Sequence, residues 1–357
     1  MATAFDNGTF TFNPEELKDL REIINELTFN HPSISDIHYV EQGIKYDKQI
    51  VFAARMGLLG KALASCTPND AEGITLTEKV WQPKLFDFRI KHCSADVDSQ
   101  DKLFNQWMKV NPDFYNIFEG SASSVGAYLV GLVEEASRED ILTKIWFSDT
   151  TAATYADSGV FTNGTDLDFF NVIDGQFKQI FVDVPTTAAN YVAITKNTAA
   201  SYALQALAAG EGMATLKAMY GKADSRLRGA AGVEFLVTRT IFDAYLNDLE
   251  TTQNNGAGNT FINENGQLTL TYRGIPVKLM DIWDNTINTY QNNGTKWYRP
   301  HRAILTTPTN IPVGTPSEGD FGSVDAFYDK VTKMNYVDGA YGLDTKHLQN
   351  YLTVAAY

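Results

Sequence analysis

SVGAYLVGLVEEASREDILTKIWFSDTTA, residues 124–152, carries an unbroken helical signal. Val125, Tyr128, Leu129, Leu132, Val133 and Ala136 recur at i, i+3, i+4, i+7 and i+8, and Ile141, Leu142, Ile145 and Trp146 carry the stripe onward. The polar run from Ser148 ends it. At 1.5 Å per residue, a helix from Ser124 to Trp146 is about 35 Å long. That length suits a spine better than a compact bundle.

Upstream of this helix the chain reads in three parts. Residues 1–12 form an extended arm with Phe5, Phe10 and Phe12 as sparse anchors. A helix follows in NPEELKDLREIINELTF, with Asn13 as N-cap, Pro14 at the first helical position, and Leu17, Leu20, Ile23, Ile24 and Leu27 on one face. Residues 46–95 hold alternating segments around a Pro-Asn-Asp turn and are predicted to make a long two-stranded hairpin. Such a hairpin is marginal alone in water, so it is expected to rest on something else, such as a neighbouring subunit.

Downstream, a third helix is predicted from Asp166 through DLDFFNVIDGQFKQIF and a fourth over 199–220, with Leu204, Leu207, Leu216 and Met219. From residue 233 the pattern turns mixed: strand VEFLVTR, helix TIFDAYLNDLE, and the Gly/Asn-rich loop TTQNNGAGN. GQLTLTYRGIPVKLMD, residues 266–281, then gives two strands broken by one glycine. Leu268, Leu270 and Tyr272 alternate in the first, and Ile275, Val277 and Leu279 in the second. DNTINTYQNNGTKW is read as a loop leading into strand RAILTT, and the tail from residue 332 as two or more strands around Gly339 and Gly342. The fold class is α+β.

The chain has 357 residues, 44% of them hydrophobic and 12% aromatic, enough for a sizeable core and against disorder. Its net charge of −14, from 43 acidic and 29 basic residues, opposes wrapping of nucleic acid through phosphates. It favours solubility at high concentration and suits the lining of a compartment to which DNA should not stick. Cys66 and Cys93 read as free buried thiols of a reducing compartment. The first residues lack a basic start and an apolar core, so no signal peptide is expected, and no apolar run approaches the roughly 20 residues of a membrane span. The expectation is a soluble chain, cytoplasmic when made. The Asn-Gly-Thr sequons at Asn7, Asn163 and Asn293 read as turns.

HExxH, GxSxG, a Walker glycine loop and GxGxxG are all missing from the sequence. GEGMAT (210–215) lacks a third glycine and reads as a loose turn. Asp96, Asp98 and Asp101 resemble the start of a calcium loop, but Trp107 stands where the bidentate Glu belongs, so an acidic N-cap is the better reading. His31, His38, His92, His301 and His347 are expected at the surface or in turns; a triad assembled across the fold stays open. Lys217, Lys222, Arg226 and Arg228 suggest either a phosphate site or, preferred, a solvated loop that meets an acidic neighbour. No catalytic, cofactor-binding or metal-binding residue is predicted, no cofactor is expected, and the chain is not expected to be an enzyme.

The order of these elements resembles the major capsid protein of tailed bacteriophages, the Hong Kong 97-like fold. SVGAYLVGLVEEASREDILTKIWFSDTTA is similar to that family's spine helix, VEFLVTRTIFDAYLNDLE to the strand–helix step of its axial domain, LTYRGIPVKLMD to the strand that follows, and RAILTTPTNIPVGT to the strand from which the chain returns. The likeness covers about 124–150 and 233–357; before residue 120 it rests on element order alone. It implies an N-terminal arm and helix at 1–45, an extended hairpin loop at 46–100, a peripheral domain with the spine helix at 101–185, an axial domain at 186–312 and a return to the peripheral domain at 313–357.

The implied function is structural: hexamers and pentamers closing an icosahedral shell around double-stranded DNA. The shell belongs to the virion and is assembled in the host bacterial cytoplasm. The implied partners are the chain itself, portal and separate scaffolding or decoration proteins, and DNA held by weak non-specific contact, with no membrane. One short helix precedes the hairpin, so scaffolding is expected to be separate or unnecessary and the chain unprocessed. Lys61 and Lys79 are available for loop cross-linking, but solvent-facing charge is the expected role of both. The alternatives are an encapsulin-like shell around protein cargo, or a hydrolase with a scattered active site.

Overall fold

The computed structural model describes residues 32–53, 76–93, 124–151, 167–185, 188–253, 270–316, 325–329 and 334–357. The predicted arm, the N-terminal helix from Asn13, Cys66, His31, the aspartates at 96–101 and the Gly/Asn-rich loop from residue 254 lie outside them, as do the side chains of His92 and Cys93. In chain order the strands are β1 (Val40–Glu41), β2 (Lys48–Ala53), β3 (Leu76–Trp81), β4 (Lys84–Cys93), β5 (Tyr191–Val192), β6 (Glu234–Val237), β7 (Leu270–Tyr272), β8 (Ile275–Leu279), β9 (Ala303–Thr306), β10 (Val313–Gly314), β11 (Asp325–Asp329), β12 (Met334–Thr345) and β13 (Val354–Ala356). Helices alternate with them, so the α+β reading holds.

A six-stranded sheet in the order β5-β13-β9-β6-β8-β7 divides the molecule. Its middle strands β6, β9 and β13 have no exposed residue. Successive side chains of a strand point to opposite faces, so each strand feeds two cores. Leu236, Ile304 and Ala355 join Trp146, Phe177 and Trp283 on one side. Phe235, Ala303, Leu305 and Val354 join Leu216, Met219 and Tyr245 on the other. The helices Glu211–Lys222 and Arg239–Gln253 supply the second core; Ser124–Phe147, Gln176–Asp183 and Asp281–Tyr290 supply the first.

The long helix runs over Ser124–Phe147, close to the predicted span, and its 24 residues give a length of about 36 Å. Ile141 to Asp149 are all buried, and the Trp146 ring lies 4.7 Å from Trp283 and 5.3 Å from Phe177. The β7–β8 hairpin also matches the sequence. Arg273 and Gly274, its two turn residues, have φ of 51° and 81°, the signs a type I′ turn requires.

Several expectations are corrected. The 46–95 hairpin is real only in part: β2 pairs with β3, but β4 leaves it and pairs with β12 along ten residues. The Pro-Asn-Asp turn lies outside the described residues. The helix from Asp166 is two, Leu167–Phe170 and Gln176–Asp183, because the chain must cross the end of the long helix at Gly175, whose N–H donates to Ser148 O at 2.8 Å. The 199–220 helix is also broken. A short turn at Tyr202–Gln205 is separated from Glu211–Lys222 by Gly210, with φ of 86°. The expected loop DNTINTYQNNGTKW begins as a helix, Asp281–Tyr290, which buries Trp283, Thr286 and Ile287 at helical spacing. Gly339 and Gly342 do not separate strands. β12 runs through both, because the Phe88 ring and Pro316 occupy the space a Cβ would need at each. The last strand, β13, lies in the stretch expected to return to the peripheral domain, yet it pairs with β9 and β5.

GEGMAT is not a loose turn. Gly212 sits inside the helix Glu211–Lys222, and a Cβ there would lie 2.4 Å from Tyr245 N on the facing helix. Gly212→Ala is therefore expected to cost about 1–3 kcal/mol or more through overpacking. Gly221→Ala, in the same helix with open space around it, should be neutral or stabilising by up to about 1 kcal/mol. Chemical denaturation midpoints of the two variants check this pair.

Candidate assembly interface

Among the described residues, β2 and β3 pair only with each other, so each presents an outer edge with no ladder partner. Their exposed side chains include Lys48, Gln49 and Val51, and Tyr46 just before them is 83% exposed. A two-stranded ribbon needs support, and here the body supplies it at one end. Trp81, at the end of β3, is fully buried; Gly314 lets it pack, since a Cβ there would come within 3.0 Å of the ring. Lys48 Nζ meets Glu41 at 2.5 Å. Lys79 Nζ donates to Asp183 Oδ2 at 2.7 Å and to His347 O at 2.5 Å. Lys79 is thus a tie between ribbon and body, correcting its expected role as a solvent-facing charge.

The tie ends in a buried polar joint. His347 Nδ1 lies 2.9 Å from Asp183 Oδ2, and its Nε2 lies 2.9 Å from Thr353 Oγ1. Hydroxyl, imidazole and carboxylate in that order have the connectivity of a hydrolytic triad. The surroundings give them a different task. His347 and Thr353 are 0% exposed, and Thr353 Oγ1 already accepts from Asn310 Nδ2 at 2.8 Å. Burial would raise the pKa of Asp183, but bonds from His347 and Lys79 outweigh it and hold the carboxyl below its usual range. Burial pushes His347 the other way, below its ordinary value. A neutral ring against an ionised carboxylate is a fixed structural joint.

The other described histidines are buried too, correcting the surface expectation. His38 Nδ1 lies 2.8 Å from Ile311 O; His301 lies between Thr240 Oγ1 at 2.8 Å and Gln205 O at 2.6 Å. Burial lowers the pKa of both, to about 4 for His38. Each imidazole meets a distant backbone carbonyl or hydroxyl, which no sequence spacing reveals.

β4 and β12 form the longest ladder, from Lys84↔Leu343 to Cys93↔Met334. Arg89 grips Asp338 directly opposite through two hydrogen bonds, while Leu85 is 78% exposed. Beneath them Lys144 of the long helix reaches Tyr341 Oη at 2.8 Å and Asp140 at 2.7 Å, with burial lowering its pKa. Three of the four basic residues, Lys222, Arg226 and Arg228, have partners. Asp224 caps the short helix Ser225–Arg228 and pairs with Arg226 at 2.9 Å, Lys222 donates to Tyr191 O, and Arg228 to Gly221 O. The acidic neighbour is therefore local, and the stretch is a capped turn of helix rather than a loop. Asn293 makes the expected turn, accepting from Thr295 and Lys296 N–H groups before Gly294 at φ 85°. Among the described residues no group of three or more His, Cys, Asp or Glu is placed to hold a metal, and no helix is long and apolar enough to cross a membrane.

No family model and no curated protein matches the sequence. Solved structures do. A chain from Mycobacterium phage Ogopogo is similar with a TM-score of 0.51 and 11% identity, over 90% of this chain and 90% of that one. A chain of the satellite phage P4 procapsid, solved with its size determination (Sid) protein, gives 0.50 and 7% identity over 94% and 97%. A weaker likeness, 0.47 with 8% identity over 92% and 88%, is to the holo-SrpI encapsulin complex from Synechococcus elongatus PCC 7942; at that level it decides nothing. The chain has a phage capsid fold.

Two outcomes follow from the joint and the histidines. Lys79→Met should leave the core intact but speed amide hydrogen exchange in 48–53 and 76–81, with a loss of about 1–2 kcal/mol from the broken charged hydrogen bonds. Equal exchange in both proteins would show that the tie does not hold the ribbon. Each buried histidine binds its proton more weakly folded than unfolded. Above the ordinary imidazole value of about 6.5 nothing is lost; below it the unfolded chain takes up protons first, so stability falls until about 4 for His38. The full loss from that residue is on the order of 3 kcal/mol. Asp284, pushed up to about 6 by burial, acts in the opposite sense, so the test is comparative. Denaturant midpoints should fall less steeply with acidification in His38→Gln, which keeps a donor for Ile311 O, than in the wild type.

Proposed function

We propose, with the phage capsid fold as premise, that this chain is the major capsid protein of a tailed bacteriophage. It self-assembles as hexamers and pentamers into an icosahedral shell around double-stranded DNA. The observation that carries the reading is the likeness to phage structures over nine-tenths or more of the chain, at TM-scores of 0.50 and 0.51. The geometry is consistent with it. The two cores are joined through one sheet, which makes a stiff unit, and the ribbon β2–β3 leaves that unit with edges unpaired among the described residues and an exposed Val51.

In this reading the extended loop expected at 46–100 is cut back to the ribbon β2–β3, which lies over an adjacent subunit while β4 stays on β12 of the body; 101–185 is the peripheral domain, and 186–312 the axial domain, to which β13 is added. Residues 1–30 lace neighbours together, and 313 onward returns to the periphery before β13. Heterologous contacts repeated between identical copies close into rings, and small hinge changes accommodate both five- and six-fold settings. The net charge of −14 suits an inner surface that holds DNA only weakly. Portal and separate scaffolding or decoration proteins complete the partner set, and assembly takes place in the bacterial cytoplasm. The Asp183–His347–Thr353 set does not support an enzymatic role, since its hydroxyl and imidazole are fully buried and the hydroxyl is already engaged by Asn310.

Light scattering of material taken directly from expressing cells is expected to give a megadalton mass, with closed shells visible by microscopy. A species near the 39.6 kDa chain mass under all assembly conditions would overturn the reading. Nuclease-protected DNA inside the shells would separate a genome container from one for protein cargo.

A further inference from the structure

Beside the end of the long helix lies a cavity of about 240 Å³ to which the shell reading gives no task. Phe147, Phe177 and Phe181 wall it, and Arg299 and Arg302 enter it from the segment before β9. Arg302 is 1% exposed and forms no ion pair among the described residues. Its Nε donates to Arg299 O at 2.9 Å, and Nη2 to Gln291 Oε1 at 2.5 Å and Tyr298 O at 3.0 Å. These bonds leave Nη1 unused. The guanidinium carbon lies 4.5 Å from the Phe177 ring centroid and 5.3 Å from that of Phe147. Burial lowers its pKa, and Asp284 supports the charge only through space, without contact.

Arg299 is the second uncompensated cation. Its guanidinium stacks 4.7 Å from the rings of Phe181 and Tyr357, with no hydrogen bond or ion pair from the side chain among the described residues. Its backbone is held at φ 45°, a left-handed setting that costs a non-glycine residue energy. Ser148, also in the lining, is 0% exposed and its hydroxyl has no partner. The one carboxylate of the lining, Asp149, is already taken by Lys178 Nζ at 2.9 Å and by Thr151. It neutralises the lysine and leaves both arginines unmatched, in a chain whose net charge is −14.

We propose that this cavity binds a carboxylate carried on an apolar body, received by Arg299 and Arg302 Nη1, with the body against the phenylalanine walls. The planar fork of a guanidinium matches a planar carboxylate in two parallel bonds. A phosphate dianion would lose more hydration between these rings than two guanidiniums return. Val182, 66% exposed in the lining, extends the apolar surface outward. The carboxylate has two possible sources: a small free acid, or an Asp or Glu side chain of a second copy packed over the mouth. The second rests on the shell reading.

The test titrates unassembled full-length subunits with phenylacetate, followed by saturation-transfer NMR, with inorganic phosphate as competitor. Saturable binding that Arg299→Gln weakens about tenfold or more, and that equimolar phosphate does not displace, is the expected result. Absence of saturable binding, unchanged binding in Arg299→Gln, or displacement by phosphate would overturn it. Repeating the titration on assembled particles separates the sources. Loss of the site on assembly assigns the carboxylate to a neighbouring copy, and its retention assigns a free acid. If no particle forms under any condition, the shell reading fails while the subunit titration still decides the cavity.

Discussion

The rest of the molecule depends on the fact that β6, β9 and β13 have no solvent face. Ala303 and Leu305 pack one way and Ile304 the other, so one short strand is a wall of both cores. Period-two alternation, which usually separates inside from outside, here separates two insides. A polar residue in such a strand must be matched on the spot. Glu234 shows the cost: it is 4% exposed, burial raises its pKa, and Lys278 at 2.5 Å supplies the counter-charge.

Around this wall, polar joints are placed where elements distant in sequence meet. Lys79, Asp183, His347 and Thr353 join the ribbon, a helix and the tail; Asp140, Lys144 and Tyr341 join the long helix to β12. Removing one member of a buried set strands the others, so such joints specify one arrangement more than they add net stability.

Local signals were legible wherever one element satisfied its own pattern. The stripe from Val125 to Trp146 predicts the long helix to within a residue, and one glycine between two alternating apolar runs predicts the break between β7 and β8. The errors came where tertiary contact overruled local chemistry. Asn285, Asn288 and Thr289 suggested a loop, yet Trp283 and Ile287 find a core and the segment is helical. Gly339 and Gly342 suggested turns, yet neighbouring rings fill their missing Cβ positions. The cavity was invisible for a related reason. WYRPHR, residues 297–302, places Arg299 and Arg302 three apart, but only the fold brings Ser148 and three phenylalanines to them. The buried histidines gave no signal either, because their partners lie up to 273 positions away.

The two filled glycine sites in β12 also govern how this protein can deform. Phe88 sits over Gly339 and Pro316 over Gly342, and a one-residue slide of β12 would bring a Cβ against each. The β4–β12 ladder is therefore notched in two places and cannot creep along its own length. Under load it can twist or bend as a blade does, but it cannot telescope, so the length of the blade is fixed.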